Sequence, residues 1–192
     1  MVGCINQKCG YLKGEIKLDT KTIMTNAIYQ LLQETSSDKI TVDMILNKAG
    51  LSRATFYRHF KDKYDAMNWY YQKNVDKILQ EKNGPNFDLL LLKGLNFISD
   101  NKAYVANILK MEGLNSFPDF LYHYTFDFYK REYLRHKGTK SLNIEERISM
   151  EYYSNAVLFI IKTWAARGFQ EPSEMICEII LKIMPEFMRP YF

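Results

Sequence analysis

Apolar residues along this chain recur at helical rather than strand spacing. Between residues 19 and 35 the pairs Ile23/Met24, Ala27/Ile28 and Leu31/Leu32 return every four positions, a stripe on one face of a helix that Asp19 or Thr20 can cap. The polar run Ser36, Ser37, Asp38 ends that helix. Thr41 then caps a short second helix whose Val42, Ile45, Leu46 and Ala49 face inward. Gly50 follows, able to take the positive φ of a sharp turn, and Ser52 is placed to cap a third helix over 53–59. Phe56 and Phe60 point to its inner face, Ala54, Thr55 and Arg58 turn outward, and Arg53 and Tyr57 share a flank.

A long fourth helix over 62–82 stops at Asn83, Gly84, Pro85 and Asn86. Further helices are predicted near 87–99, 101–111, 117–137, 144–167 and 172–188, with breaks at Gly113, Gly138 and 168–172. The expectation is an all-α protein of about nine helices. It divides into a helix-turn-helix head over 19–64, with its motif at 41–60, and a helical effector and dimerisation domain over 65–192. Residues 1–18 read as a flexible arm, in which Lys8, Lys13 and Lys17 form either a basic extension toward a minor groove or a disordered leader.

Composition narrows the class. A hydrophobic content of 47% is enough to bury a core, and the longest apolar runs, 89–92 and 156–161, are far shorter than the roughly 20 residues a membrane span needs. No signal-peptide pattern opens the chain, so a cytoplasmic location is expected. Cys4, Cys9 and Cys177 match no disulfide framework or zinc spacing and read as reduced thiols. Net charge is +4, and residues 1–63 hold 10 Lys/Arg against 6 Asp/Glu, whereas residues 64–192 hold 16 against 16. All the excess therefore lies in the first third. Such a surface either meets a polyanion or is an ordinary solvated face.

Helix, Gly-containing turn and short helix form the arrangement that places its second helix in the DNA major groove. The side chains suit that use. Arg53 can pair with guanine, Thr55 can bond several bases or touch a thymine methyl, and Ser52, Tyr57, His59 and Lys63 can reach phosphates. Lys61 and Lys63 stand at the start of the fourth helix, and Thr41 at the start of the second, where backbone N–H groups favour an anion. Tyr57 and His59 are equally of the kind that fills a small core.

The string TVDMILNKAGLSRATFYRHFKDK over 41–63 resembles the DNA-binding motif of the TetR family, most specifically at Ala49 to Ser52, Thr55 to Tyr57 and His59 to Lys63. The resemblance implies base and backbone contacts from Arg53, Ala54, Thr55 and Tyr57, and phosphate contacts from Thr41, His59 and Lys63. It further implies a homodimer on palindromic double-stranded DNA, and an effector domain whose last two long helices build a four-helix bundle with the second subunit. The continuation over 60–71 is similar to a subgroup containing the DhaS-type regulators of dihydroxyacetone kinase genes, which implies control by a protein partner as an alternative to a small molecule.

Wide apolar stripes on the last two long helices offer Phe159, Trp164, Ile176, Ile180 and Ile183 as a dimer interface, although an internal core can absorb them. The aromatic-rich segment 117–133 offers Phe120, Tyr124 and Phe128 as walls of a ligand pocket, or as core. His123 and Asp127, one turn apart, read as a surface pair rather than metal ligands, and no cofactor is implied. No nucleophile with its base, paired acids or phosphate loop stands out, so an enzyme is not expected. A sequence-specific transcriptional regulator is, with a helical protein-interaction module as the rival reading.

Overall fold

The computed structural model describes residues 19–80, 86–113 and 115–192. The basic arm over 1–18, Cys4, Cys9 and the break at 83–85 lie outside them. Among the described residues there are nine α-helices and no strand: α1 (Thr20–Glu34), α2 (Val42–Ala49), α3 (Arg53–His59), α4 (Lys63–Leu79), α5 (Phe87–Asp100), α6 (Lys102–Ile108), α7 (Phe117–Lys137), α8 (Ile144–Ala166) and α9 (Ser173–Lys182). A single 3₁₀ turn follows at Arg189–Tyr191. No helix among these residues is long and apolar enough to cross a membrane.

Caps explain most helix starts. Asp19, Thr41, Ser52, Asp62, Asn86, Ser116 and Asn143 each accept a backbone N–H of the first turn through a side-chain oxygen, filling donors that have no partner within the helix. α9 is shorter than the apolar stripe predicts. It ends at Lys182 because Pro185 lacks an N–H and disfavours helical geometry in the residue before it, yet Met184 and Met188 beyond it remain buried.

Helices α1, α2 and α3 close over Met24, Ile28, Ile45, Phe56 and Phe60, all essentially inaccessible. The fourth helix completes that small core with Ala66 and Met67, then continues into the body, where Tyr71 and Val75 pack against α5 and α7. The head is thus mounted on the body through α4 and also through α6, which packs against α1. Buried hydroxyls are paired: Tyr104 Oη donates to the Met67 carbonyl at 2.9 Å and Tyr153 Oη to the Ile180 carbonyl at 3.0 Å.

Candidate nucleic-acid interface

The turn between α2 and α3 rests on Gly50, whose φ of 66° and ψ of 35° lie in the left-handed region. A side chain there would cost about 1–2 kcal/mol through its Cβ. Ser52 opens α3 by accepting the Thr55 N–H at 3.2 Å, and its hydroxyl is also 2.8 Å from Thr55 Oγ1. Phe56 and Phe60 lock the inner face, with ring centroids 5.7 Å apart, so the outer face of α3 is fixed in direction.

That face carries Arg53, Ala54, Tyr57 and Arg58, all exposed, with Thr55 and His59 half-buried beside them. Tyr57 is 52% exposed and sets its ring edge-on to Phe56, so packing does not consume it. Thr41 and Lys61 are exposed too, at the starts of α2 and α4. Ser52 and Thr55 hold each other's hydroxyls, which leaves them less available than sequence spacing suggests. Arg58 was outward in the sequence pattern, yet only its exposure beside Tyr57 marks it as a member of the face.

Two cations are engaged in ways the sequence does not reveal. Arg53 Nη2 lies 2.6 and 2.7 Å from the two carboxylate oxygens of Asp43 on α2, an exposed pair that keeps the guanidinium at the edge of α3. Lys63 is the second. Instead of standing free as a phosphate anchor, its Nζ donates to the carbonyls of Ser37, Asp38 and Ile40 at 3.0, 2.9 and 2.7 Å. All three ammonium donors are used, and partial burial lowers the pKa of the group. The start of α4 is further occupied by Asp62, which caps the Asp65 N–H at 2.8 Å, and by the Asp65 carboxylate, which accepts from the Lys61 N–H at 3.0 Å.

In the body, a cavity of about 90 Å³ lies between α4, α5, α7 and α8, lined by Tyr71, Leu91, Gly94, Tyr124, Phe128 and Ile161 among others. Tyr124 and Phe128 are therefore walls. Phe120 is not: it stacks on Tyr124 from outside the cavity, at 5.6 Å between centroids. Tyr124 Oη donates to Asp76 Oδ1 at 2.7 Å, and burial together with that carboxylate pushes its phenol pKa up. His123 sits 3.7 Å from Asp119 rather than beside Asp127, and among the described residues no group of three metal-ligating side chains stands together.

The proposed dimer residues divide. Phe159 and Ile183 are exposed, 69% and 43%, on a stripe with Ile148, Tyr152, Met175 and Ile179. Trp164, Ile176 and Ile180 belong instead to the monomer core, at 1%, 5% and 0% exposure. The reason is that α9 packs against α5 and α8, and Trp164 Nε1 donates to the Glu171 carbonyl at 2.9 Å, which turns these side chains inward.

Comparison with known proteins agrees with this architecture. Residues 25–65 match the family described as "Bacterial regulatory proteins, tetR family", and residues 86–186 match "Transcriptional regulator C-terminal region". Among curated proteins, the chain is 23% identical over 105 residues to the dhaKLM operon transcriptional activator DhaS of Lactococcus lactis, covering 53% of this chain and 55% of that protein. It is 28% identical over 111 residues to an HTH-type transcriptional regulator of Staphylococcus aureus (strain USA300), covering 53% of this chain and 60% of that one. The chain thus matches little more than half the length of these relatives. In fold it is similar to the dihydroxyacetone kinase operon activator DhaS, with a TM-score of 0.62 at 18% identity over 90% of this chain and 97% of that one. It is also similar to the fatty acid degradation regulator FadR from Bacillus halodurans, with a TM-score of 0.60 at 15% identity over 88% and 96%. The C-terminal match alone extends over more than half the chain, and with the helix-turn-helix match it makes this protein a member of the TetR family of transcriptional regulators.

Proposed function

We propose that the chain binds a palindromic operator as a homodimer, with α3 of each protomer in the major groove. The observation that carries this reading is the outer face of α3, where Arg53, Ala54, Tyr57 and Arg58 stand exposed over the buried Phe56 and Phe60. Arg53 reads guanine, Thr55 and Ala54 approach base edges, and Thr41, Tyr57, His59 and Lys61 meet the phosphates around them. Dimerisation uses the exposed stripe of α8 and α9, since two-fold symmetry in the protein matches two half-sites in the DNA.

Control enters through the body. The cavity beneath Tyr124 and Phe128 is apolar and, at about 90 Å³, smaller than the roughly 300–1,000 Å³ of ordinary ligand clefts, so a small-molecule effector has to widen it on entry. A protein co-regulator is the other source of input, suggested by the similarity to DhaS. Selecting bound duplexes from a random pool with the purified protein tests the reading. A palindrome with guanine facing Arg53 is the expected product, while recovery of no motif would overturn operator reading and favour a protein-interaction role.

A further inference from the structure

The segment joining α1 to α2 has no helical ladder to satisfy its backbone, yet Ser37 within it is only 4% exposed. Its polar groups are met from two sides. From the body, Asn107 in the last turn of α6 gives its whole amide to this joint: Oδ1 accepts the Ser37 N–H at 2.9 Å, and Nδ2 donates to the carbonyls of Leu32 at 3.1 Å and Thr35 at 2.8 Å. The Asn107 carbonyl accepts from Ser37 Oγ at 3.1 Å, a fourth bond to the same turn. From the other side, the Lys63 ammonium holds the next carbonyls of the segment, those of Ser37, Asp38 and Ile40. The C-terminal end of α1 is thereby clasped between α6 and the first residue of α4.

These bonds cross the boundary between head and body. Leu32, Thr35 and Ser37 belong to the head, whereas Asn107 sits on α6, which packs against α5 and α8 of the body as well as against α1, with Tyr104, Val105 and Ile108 buried between them. Four hydrogen bonds converging on one residue from different directions resist rotation as well as separation, because each weakens steeply once its distance passes about 3.2 Å or its angle falls toward 120°. Apolar contacts between α1 and α6 lack that directionality.

We propose that Asn107 is a positioning residue that fixes the angle of the head on the body and so sets which half-site spacing the dimer accepts. The inference rests on the operator-binding reading above, in which two heads must meet two half-sites at once. Each added base pair moves a half-site about 3.4 Å along the duplex and roughly 35° around it, so a rigidly held head discriminates spacings that a swivelling one does not.

The test measures affinity for a series of duplexes in which the spacing of the selected half-sites varies by one or two base pairs, alongside a duplex with one half-site. Wild-type protein should prefer one spacing by at least about tenfold. Asn107→Leu should compress that preference to within about threefold while leaving single half-site affinity unchanged. Ser37→Ala, which removes only the bond to the Asn107 carbonyl, should fall between the two and guards against poor folding of the leucine variant. An unchanged spacing profile in both variants, or an equal loss of affinity on every duplex, would overturn the proposal. Spin labels at Lys48→Cys and Lys140→Cys, with the native cysteines replaced by alanine and labelled protein diluted into unlabelled, give a readout that needs no DNA. The distance distribution within one protomer should broaden in Asn107→Leu. If wild-type protein binds no palindrome but this distribution broadens, the operator reading fails and the positioning role of Asn107 stands. If it does not broaden, the positioning role fails.

Discussion

Arg53 meets a carboxylate before it meets any base. Its pair with Asp43 is more than half exposed on both sides, and solvent screens pairs of that kind, so a guanine edge offering two acceptors can displace the carboxylate at little cost. Arg53→Ala should therefore lower discrimination at one base pair of each half-site by about 1–3 kcal/mol and leave the other positions alone, as read from competition binding with single-base variants. A second charged residue governs acid stability. The Glu146 carboxylate accepts from Lys137 Nζ, from the Asn143 N–H at 2.9 Å and from Tyr133 Oη at 2.7 Å, and the Lys137 bond is the largest cause of its pKa falling to about 2. Because the folded pKa lies below the unfolded one, this contribution is complete above pH 4.5 and is lost as the pH falls toward 2. Glu146→Gln retains the oxygen that caps α8 and removes the charge. The two melting curves should differ by the equivalent of on the order of 1–2 kcal/mol at pH 6, draw together below pH 4.5 and nearly meet only as the pH approaches 2.

The difference between α8 and α9 as sequence and as structure lies in register. Helix type, the caps Thr41 and Ser52, the turn at Gly50 and the inward pair Phe56/Phe60 follow from spacing within a few residues, and these were legible because local chemistry decides them. Which side of a doubly apolar helix meets the core is not local. In α9, Ile176 and Ile180 are buried while Met175 and Ile179, one position before each, face out, and only the placement of α5 and α8 selects between them. The Lys63 clasp and the Arg53–Asp43 pair were hidden for the same reason, since their partners lie 10–26 residues away across turns. The corrected faces predict opposite outcomes. Trp164→Ala should cost about 3–5 kcal/mol of folding stability, whereas Phe159→Lys should leave the unfolding of the protomer nearly unchanged and dissociate the dimer in sedimentation.

Across the whole molecule, the net positive charge lies in the first 63 residues, but the cations of the head do different work. Lys61 is exposed beside the α3 face, and Lys63, two residues on, has all three donors committed to carbonyls. A cation that replaces counterions around a phosphate contributes to the salt dependence of binding, with a slope of about −0.9 per phosphate in log affinity against log salt, whereas a cation bonded within its own protein contributes little. Lys61→Ala should therefore reduce the steepness by about one unit per protomer and weaken all duplexes alike. For Lys63→Met the slope should stay close to wild type. The joint between α1 and α2 then loses its ammonium and strands buried carbonyls, so stability falls by about 1–3 kcal/mol. Titrating both variants against one duplex from 50 to 200 mM salt, with melting curves in parallel, separates the roles. A wild-type slope for Lys61→Ala with a reduced one for Lys63→Met would mean that the clasp opens on DNA and that Lys63 turns outward to the phosphates.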